Sequence, residues 1–578
     1  MKNLFFALAV VGHLFSTTAE SGRSPSRGEA WRVAEWVFVA EKDYSAGGGD
    51  AVPLDMVFRR EGTAETLTRP AFWDGGRVFR VRFAPTAVGA WSWRVSCATD
   101  KTLDGRVGRF SAEPYEGPLD IYRRGFVRTV PGKKHFTYAD GTPFFYLGDT
   151  HWGMYREEID SPGPFAGSSG ATSHFRHVVS RRAEQGFTVY QSEPIDPWFD
   201  VRDGKVDASD IPGLRRADGY YRAIADAGLV HANAEFFFAS EMRKAFAEDA
   251  AAIERVCRYW NARFGAYPVM WTLAQEIDND FYREQGRPCH FYTVTNNPWM
   301  TVAKFLHKHD AYGHPLSGHQ ENADYTTVNG DGAKKDPKKR PDLGRSIFAD
   351  PAVAKSVGHD WWAAQWTPSL VSTPDPKVTR EYWASERPAV NYESRYCYLW
   401  TKDFGARAQG WISFLNGFCG YGYGAIGHWL YKSRYDTDSK SDDGVDRISP
   451  TDKMVPWYES LEFPSAIQMG YMKTFLCGLP WWKLAPDLGR GRAFAPKPGC
   501  SVSAASCGDE LYVLYFNSTN TVTGTLRGCR PQTAYAGTWF DPRFGKSMPP
   551  FALKSDAVGQ IPLPDKPDSR DWVFKASR

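Results

Sequence analysis

The amino-acid sequence predicts an α/β fold in which a (β/α)8 TIM barrel is flanked by an N-terminal and a C-terminal β-sandwich. Three observations lead to this prediction. Alternating segments dominate the first part of the chain, apolar runs recur between helix-like segments in the middle, and alternation returns near the end. The 578 residues also exceed one ordinary hydrophobic core, at roughly 150 residues per domain.

Strand-like alternation predicts the first β-sandwich over residues 28–115. Residues 78–83 and 91–95 alternate apolar and polar side chains, as half-buried strands do. The Gly-Gly-Gly-Asp sequence at 47–50 is typical of a turn between such strands. Two facing antiparallel sheets would bury the apolar sides of these strands.

Apolar runs separated by helix-like segments predict the barrel over residues 120–480. Eight runs are present, at residues 144–147, 188–191, 232–238, 269–273, 316–320, 361–366, 389–392 and 411–415. Helix-like segments lie between several of them, for example at 173–185 and 248–264. Buried strands that alternate with helices form parallel βαβ units, and eight such units suit a closed barrel better than an open sheet.

Alternation returns after the barrel, and residues 481–578 are predicted to form the second β-sandwich. The clearest strand of this region is at 511–516. Cys500, Cys507 and Cys529 are close enough along the chain to predict one disulfide, which an oxidising compartment would permit.

The N-terminus predicts a secretory signal peptide over residues 1–19. A lysine at position 2 precedes an apolar run at 4–15, and small residues follow as far as Ala19. The run is too short to cross a bilayer. The sequence therefore predicts a secreted or periplasmic protein without a membrane span.

Charge and motif content exclude several other classes of function. Lys and Arg number 70 and Asp and Glu number 67, so the net charge of +3 gives no reason to expect a nucleic-acid partner. Motifs of zinc proteases, phosphate-binding loops and serine hydrolases are absent from the sequence, and no metal or cofactor is predicted.

Polar residues near the ends of the apolar runs are the candidate functional residues, because such a barrel has its active site at the C-terminal ends of its strands. Glu276 follows the fourth run and Glu393 the seventh, and we predict that they are the catalytic pair. Glycoside hydrolysis requires two carboxyl groups in different protonation states. The predicted substrate-binding residues are Asp149, His151, Trp152, Gln191, Glu193, Glu235, Gln275, His319 and Trp366.

Several of these residues also have a structural interpretation. A glutamate at a strand end is often a hydrogen-bond acceptor, and Asp149 could hold neighbouring backbone amides. His151 could be a hydrogen-bonded histidine of the barrel rim. Glu193 and Glu235 could form structural salt bridges.

The order of several motifs resembles the apiosidase-like glycoside hydrolases. Residues 144–152 resemble that family's first strand, 185–191 its second, 387–393 its seventh and 420–425 its eighth. The family carries a catalytic-site glutamate in its seventh strand, and the resemblance places Glu393 at that position.

Flanking motifs extend the resemblance over most of the chain. Residues 70–75 and 80–85 resemble a β-sandwich often fused before such barrels, and 539–543 resemble a collagen-binding-like domain that often follows them. Gln275-Glu276 is similar to the Asn-Glu pair of retaining clan A barrels. In those enzymes the fourth-strand glutamate is the acid/base and the seventh-strand glutamate is the nucleophile, which implies these roles for Glu276 and Glu393.

The sequence thus predicts a secreted glycoside hydrolase that acts on a polysaccharide or oligosaccharide by a retaining mechanism. An inverting enzyme and a non-catalytic carbohydrate-binding or adhesion protein are the alternatives. The distance between the two carboxyl groups would discriminate, because it is about 5–5.5 Å in retaining and about 6.5–9.5 Å in inverting enzymes.

Overall fold

The structure is a computed structural model, and it describes residues 24–152, 174–192, 204–233, 249–272, 299–320, 360–370, 372–398, 401–425 and 457–578. The predicted signal peptide lies outside these residues. Among the helices of the described ranges, none combines the length and the apolar character needed to cross a membrane.

The centre of the molecule is an eight-stranded parallel sheet that closes into a TIM-like barrel. Its strands, in order around the sheet, are Tyr146–Thr150, Val189–Ser192, Val230–Asn233, Val269–Thr272, the pair Leu316–Ser317 and His319–Gln320, then Trp362–Gln365, Ala389–Glu393 and Gly420–Tyr423. We call these barrel strands one to eight. Strand one pairs with both strand two and strand eight, since Gly148 is opposite Val189 on one side and Gly422 on the other. Strand five is divided at Gly318, and its two halves pair with strands four and six.

Helices cover the outside of the barrel. Those that the structure describes are Asp120–Arg123, His174–Glu184, Ile211–Asp226, Ala250–Phe264, Trp299–His309, Lys377–Ala384, Asp403–Leu415, Trp457–Ser460 and Pro464–Cys477, with a 3-10 turn at Trp481–Lys483. Ala250–Phe264 shows why such a segment is helical. The Asp249 carboxylate accepts a hydrogen bond from the Ala252 amide at 3.0 Å, and Gly265 ends the helix. The helices predicted at 173–185 and 248–264 are confirmed to within two residues.

The predicted eighth strand at 411–415 is wrong. These residues end the helix Asp403–Leu415, and strand eight is Gly420–Tyr423. A short apolar run does not distinguish a buried strand from a buried helix. This helix is buried on most sides, because Trp411 also packs against the C-terminal sheet, with its ring 6.0 Å from that of Tyr515.

Glycines in strands one and eight make room for large side chains on the barrel axis. A Cβ atom on Gly148 would lie 2.0 Å from Gln191 Oε1, and one on Gly420 would lie 2.6 Å from Tyr146 Cβ. Gln191 fills this space. Its Oε1 accepts a hydrogen bond from the Tyr146 hydroxyl at 3.2 Å, and its Nε2 donates to the Tyr392 carbonyl at 2.9 Å.

We expect Gly422→Ala to destabilise the barrel by about 3 kcal/mol, the upper part of the range for overpacking. The added Cβ would lie 1.9 Å from the Tyr392 carbonyl oxygen, and backbone of a central strand cannot move aside without disturbing its neighbours. The urea midpoint of unfolding measures the effect. Gly478→Ala is the control, because its Cβ would meet nothing closer than 3.4 Å. Equal midpoints for the two variants would contradict the expectation.

The N-terminal region forms two sheets whose aromatic side chains pack against each other. The five-stranded sheet contains, in order, Arg27–Glu29, Val107–Glu113, Gly89–Cys97, Leu54–Arg60 and Thr66–Pro70, and the three-stranded sheet contains Ala34–Val39, Val78–Phe83 and Phe72–Trp73. Phe58 of the first sheet stacks on Phe83 of the second at 3.8 Å, and Trp36 lies 5.1 Å from Phe58. A hairpin of Phe136–Thr137 and Pro143–Phe144 precedes the barrel.

Two further sheets form the C-terminal region. The larger contains Ala485–Pro486, Val502–Cys507, Leu511–Phe516, Trp572–Ser577, Ala534–Asp541, Lys546–Ser547 and Phe551–Lys554, and the smaller contains Phe494–Pro496, Gly524–Leu526 and Ile561–Pro562. The predicted disulfide is wrong, because Cys500, Cys507 and Cys529 are all free thiols. Cys507 ends a strand opposite Leu511, whereas Cys529 is buried beside the hydroxyls of Tyr512 and Tyr535.

Buried ion pairs join both flanking regions to the barrel. On the N-terminal side, Asp218 accepts from Arg82 at 2.7 Å and from Arg263 at 2.6 Å, and Arg263 also reaches Asp74 at 3.1 Å. Burial raises the pKa of Asp218, but the charges of Arg263 and Arg82 outweigh it and lower that pKa to about 2. On the C-terminal side, Arg407 binds both oxygens of the Asp571 carboxylate at 2.8 Å.

Candidate active site

Glu393 is the last residue of barrel strand seven, and the residue is 4% exposed. One carboxylate oxygen, Oε1, accepts a hydrogen bond from the Tyr396 hydroxyl. The other, Oε2, lies 3.2 Å from Nε2 of His319 in strand five. Two barrel strands and the turn after Glu393 therefore hold this carboxylate in position.

Trp152, just beyond the end of strand one, completes the group around Glu393. Its indole Nε1 donates a hydrogen bond to the Tyr396 hydroxyl oxygen at 3.0 Å. Its ring stacks on that of His319, with centroids 5.8 Å apart and an angle of 28° between the planes. Trp152, His319, Glu393 and Tyr396 form one cluster, which we call the Glu393 cluster. All four side chains are buried.

A glycine beyond strand eight makes room for this cluster. A Cβ atom on Gly424 would lie 2.1 Å from Cδ1 of Tyr396, so a side chain there would displace the tyrosine ring. Of the alternating glycines, Gly420 and Gly422 thus leave space on the barrel axis, and Gly424 leaves space for the Glu393 cluster.

The His319 imidazole is uncharged at neutral pH, because burial lowers its pKa to about 3. The distance of 3.2 Å between His319 Nε2 and Glu393 Oε2 would suit an ion pair. Because the ring is neutral, the contact is instead one between an uncharged imidazole and the Glu393 carboxyl group. His319 therefore contributes no positive charge to the cluster.

The other described candidates occupy different positions. Gln191 lies on the barrel axis, where its side-chain amide is hydrogen-bonded to Tyr146 and Tyr392. Asp149 is fully buried and lies 3.1 Å from Arg182 of the helix His174–Glu184, an ion pair between strand one and its helix. This position agrees with a structural interpretation, and a substrate contact of Asp149 stays a prediction.

His151 packs against Phe175 of the helix His174–Glu184, and Trp366 packs against Phe418 in the turn before strand eight. The His151 ring lies 5.2 Å from Tyr190, and Trp366 stacks on Phe418 at 5.5 Å. Both side chains are buried. Of the two predicted catalytic residues, the structure describes Glu393. The remaining candidates, Glu193, Glu235, Gln275 and Glu276, lie outside the described residues.

Tyr396 is the member of the Glu393 cluster that the sequence analysis did not predict. It follows Glu393 by three residues, which would have been a usable signal, since a turn after a strand end returns such a residue towards it. The contact with Trp152 joins positions 244 residues apart, and no local pattern predicts it. In the part of the chain that the structure describes, no group of three or more His, Cys, Asp or Glu side chains could hold a metal ion.

Buried neutral histidines predict a pH dependence of stability. Burial lowers the pKa of His231 in strand three to about 3, whereas an unfolded histidine titrates near 6.5. Between these values the unfolded chain binds more protons, so stability falls as pH falls from about 6.5 towards 3. We expect His231→Gln to flatten the slope of unfolding free energy between about pH 4 and pH 6 by about 1.4 kcal/mol per pH unit.

Urea unfolding at several pH values measures this slope. His307→Gln is the control, because a hydrogen bond to Asp360 raises the pKa of His307 and both states of that residue are protonated in this range. The interpretation fails if the His231 and His307 variants keep the same slope.

Comparisons with known proteins agree with the barrel. A family model described as the apiosidase-like catalytic domain matches residues 131–483. A second model, described as a domain of unknown function (DUF5060), matches residues 27–98. No curated protein matches this chain in sequence.

Several solved structures share the fold at low sequence identity. A Bacteroides vulgatus protein provisionally described as a glycoside hydrolase is 15% identical, with a TM-score of 0.63 over 96% of this chain and 99% of that chain. A glycoside hydrolase family 5 protein of the same species is 13% identical, with a TM-score of 0.54 over 79% of this chain and 94% of that chain. Another structure, described as a glycoside hydrolase, also has 13% identity and a TM-score of 0.54, and covers 78% of this chain and 97% of that one.

Proposed function

Because this chain belongs to the apiosidase-like family, we propose that it is a glycoside hydrolase that cleaves a complex polysaccharide by a retaining mechanism. Glu393 is the nucleophile and Glu276 the acid/base in this proposal. The observation that carries it is the buried Glu393 carboxylate at the C-terminal end of strand seven, which receives a hydrogen bond from Tyr396 and faces neutral His319.

The hydrogen bond that Glu393 receives from Tyr396 supports its role as the nucleophile, which has to be ionised. A hydrogen bond donated to the charged form lowers a carboxyl pKa, and Tyr396 supplies one. A general acid requires the opposite setting, one that keeps its proton at working pH. Glu393 therefore fits the nucleophile better than the acid, which leaves the acid role to Glu276.

The proposed reaction has two steps. A Glu393 oxygen attacks the anomeric carbon, and the glycosidic oxygen leaves with a proton from Glu276. Water then gives a proton back to Glu276 and attacks the same carbon, which breaks the bond to Glu393. Two inversions at one carbon give a product with the configuration of the substrate.

The proposal also covers the location and organisation of the protein. The basic start, apolar run and small residues at 1–19 support export to the periplasm or the medium. The domain boundaries 28–115, 120–480 and 481–578 are part of the same proposal. Trp152 and His319, next to Glu393, are the best supported of the substrate-binding candidates.

Incubation of the purified protein with pectic, algal and host glycans tests the function. Release of reducing ends, with a first product of retained anomeric configuration by proton NMR, is the expected result. A product of inverted configuration would overturn the retaining mechanism. Binding to a glycan without release of any product would instead identify a non-catalytic carbohydrate-binding protein.

A further inference from the structure

Trp152 fixes the direction of the hydrogen bonds in the Glu393 cluster. An indole N–H can only donate, so the 3.0 Å contact makes the Tyr396 hydroxyl oxygen an acceptor from Trp152. The Tyr396 hydroxyl has a single proton. With its oxygen engaged by Trp152, that proton is available to Glu393 Oε1.

We propose that Trp152 and Tyr396 form a one-way hydrogen-bond relay that keeps Glu393 ionised. Trp152 and Tyr396 are positioning residues in this proposal, and it rests on the proposed role of Glu393 as nucleophile. A hydrogen bond donated to the charged form of a carboxyl group favours that form, and Tyr396 donates one to Oε1. The relay therefore favours the carboxylate over the carboxylic acid.

The titratable groups that the described contacts bring to Glu393 carry no charge. Tyr396 is a phenol, whose ordinary pKa is about 10. His319 approaches from strand five as a neutral ring, and Tyr392, 4.9 Å from the His319 ring, is a second phenol. Of these groups, Tyr396 is the one that donates a hydrogen bond to Glu393, so loss of its hydroxyl is expected to shift the titration of Glu393.

Burial strengthens the relay. Trp152 and Tyr396 are almost completely enclosed, and in such surroundings hydrogen bonds are electrostatically stronger and polarise one another. Donation from Trp152 makes the Tyr396 hydroxyl a better donor to Glu393. Trp152 acts on the carboxylate through Tyr396, so its removal should have a smaller effect than removal of the phenol oxygen.

Titration of the Glu393 carboxyl by carbon-13 NMR tests the relay without a substrate. The protein is labelled at the glutamate Cδ, and the resonance absent from Glu393→Gln is assigned to Glu393. In Tyr396→Phe the midpoint should rise by about one to two pH units, the equivalent of one hydrogen bond to a charged group. In Trp152→Phe it should rise by less. Tyr421→Phe is the matched control, since Tyr421 faces the helix layer and bonds to Gln409.

Activity gives a second readout. If a glycan substrate is found, the acidic limb of the pH profile of kcat/KM should move upwards in Tyr396→Phe by the same amount as the NMR midpoint. An unchanged Glu393 midpoint in Tyr396→Phe would overturn the relay, whatever the activity. A raised midpoint in a protein that cleaves no glycan would support the relay and contradict the proposed function, so the two failures are distinct. Circular dichroism of each variant checks that the fold is intact.

Discussion

Glu393→Gln is expected to abolish turnover while the fold stays intact. Glutamine keeps the shape of the side chain, and its amide oxygen still accepts a hydrogen bond from Tyr396. Its amide nitrogen can donate to the neutral His319 ring. An amide cannot attack the anomeric carbon, so the covalent intermediate does not form. We expect kcat to fall by at least about 10³-fold, in line with the loss of other catalytic nucleophiles.

The control and a rescue experiment separate chemistry from structure. Glu381→Gln removes an exposed carboxylate from the helix Lys377–Ala384 and should keep the wild-type rate. In Glu393→Ala, added azide should restore cleavage and give a glycosyl azide of inverted configuration, because azide takes the place of the missing nucleophile. Wild-type activity of Glu393→Gln on any substrate of the parent protein would show that another residue is the nucleophile.

Asp218→Asn should destabilise the protein by about 3 kcal/mol, the lower end of the cost of removing one partner from a buried ion pair. Asp218 joins two guanidinium groups that are 2% and 0% exposed. An amide would leave Arg82 with Glu35, and Arg263 with Asp74, as the remaining counter-charges. Phe72 lies beneath both guanidinium groups at 4.8 and 4.7 Å, so they cannot turn towards water without loss of this packing. The urea midpoint of unfolding measures the loss.

The Asp218 pair also has a defined pH dependence. The folded pKa of about 2 is below the unfolded value of about 3.9, so the stabilisation is present above about pH 4 and disappears as pH falls towards 2. The difference between the parent protein and Asp218→Asn should therefore shrink in acid. Asp120→Asn is the control, since that ion pair with Arg124 is exposed and worth less than about 1 kcal/mol. Equal losses in both variants would refute the assigned role of Asp218.

The strands of the barrel could be predicted where aliphatic residues mark them. The fourth apolar run and strand four differ by one residue, because Val269–Thr272 is buried on both faces and carries no polar interruption. Strand eight has the sequence Gly-Tyr-Gly-Tyr, and its glycines are explained by the Tyr146 side chain and the Tyr392 backbone of neighbouring strands. Such a requirement arises only once the barrel is closed, so the sequence pattern favoured the neighbouring helix instead.

The residues of the candidate site also differ in how far the sequence alone predicts their positions. Glu393 could be predicted because its position depends on one strand end, a local property. The position of Asp149 depends on Arg182, and that of Trp366 depends on Phe418, and both partners follow later in the chain. A polar residue near a strand end has two directions to face, towards the barrel axis or towards the helices. Small shifts in the strand end decide between them.

The continuous core of the molecule has a consequence for modularity. One cluster of buried residues runs from Trp36 in the three-stranded N-terminal sheet, through the barrel, to Val573 in the last strand, and a second cluster, which includes Phe516 and Trp539, lies within the C-terminal region. The flanking regions thus share part of their packing with the barrel. An exchange of the flanking regions between related barrels would have to carry the matching barrel helices with them. The combination of regions should therefore be inherited as a whole rather than assembled from interchangeable parts.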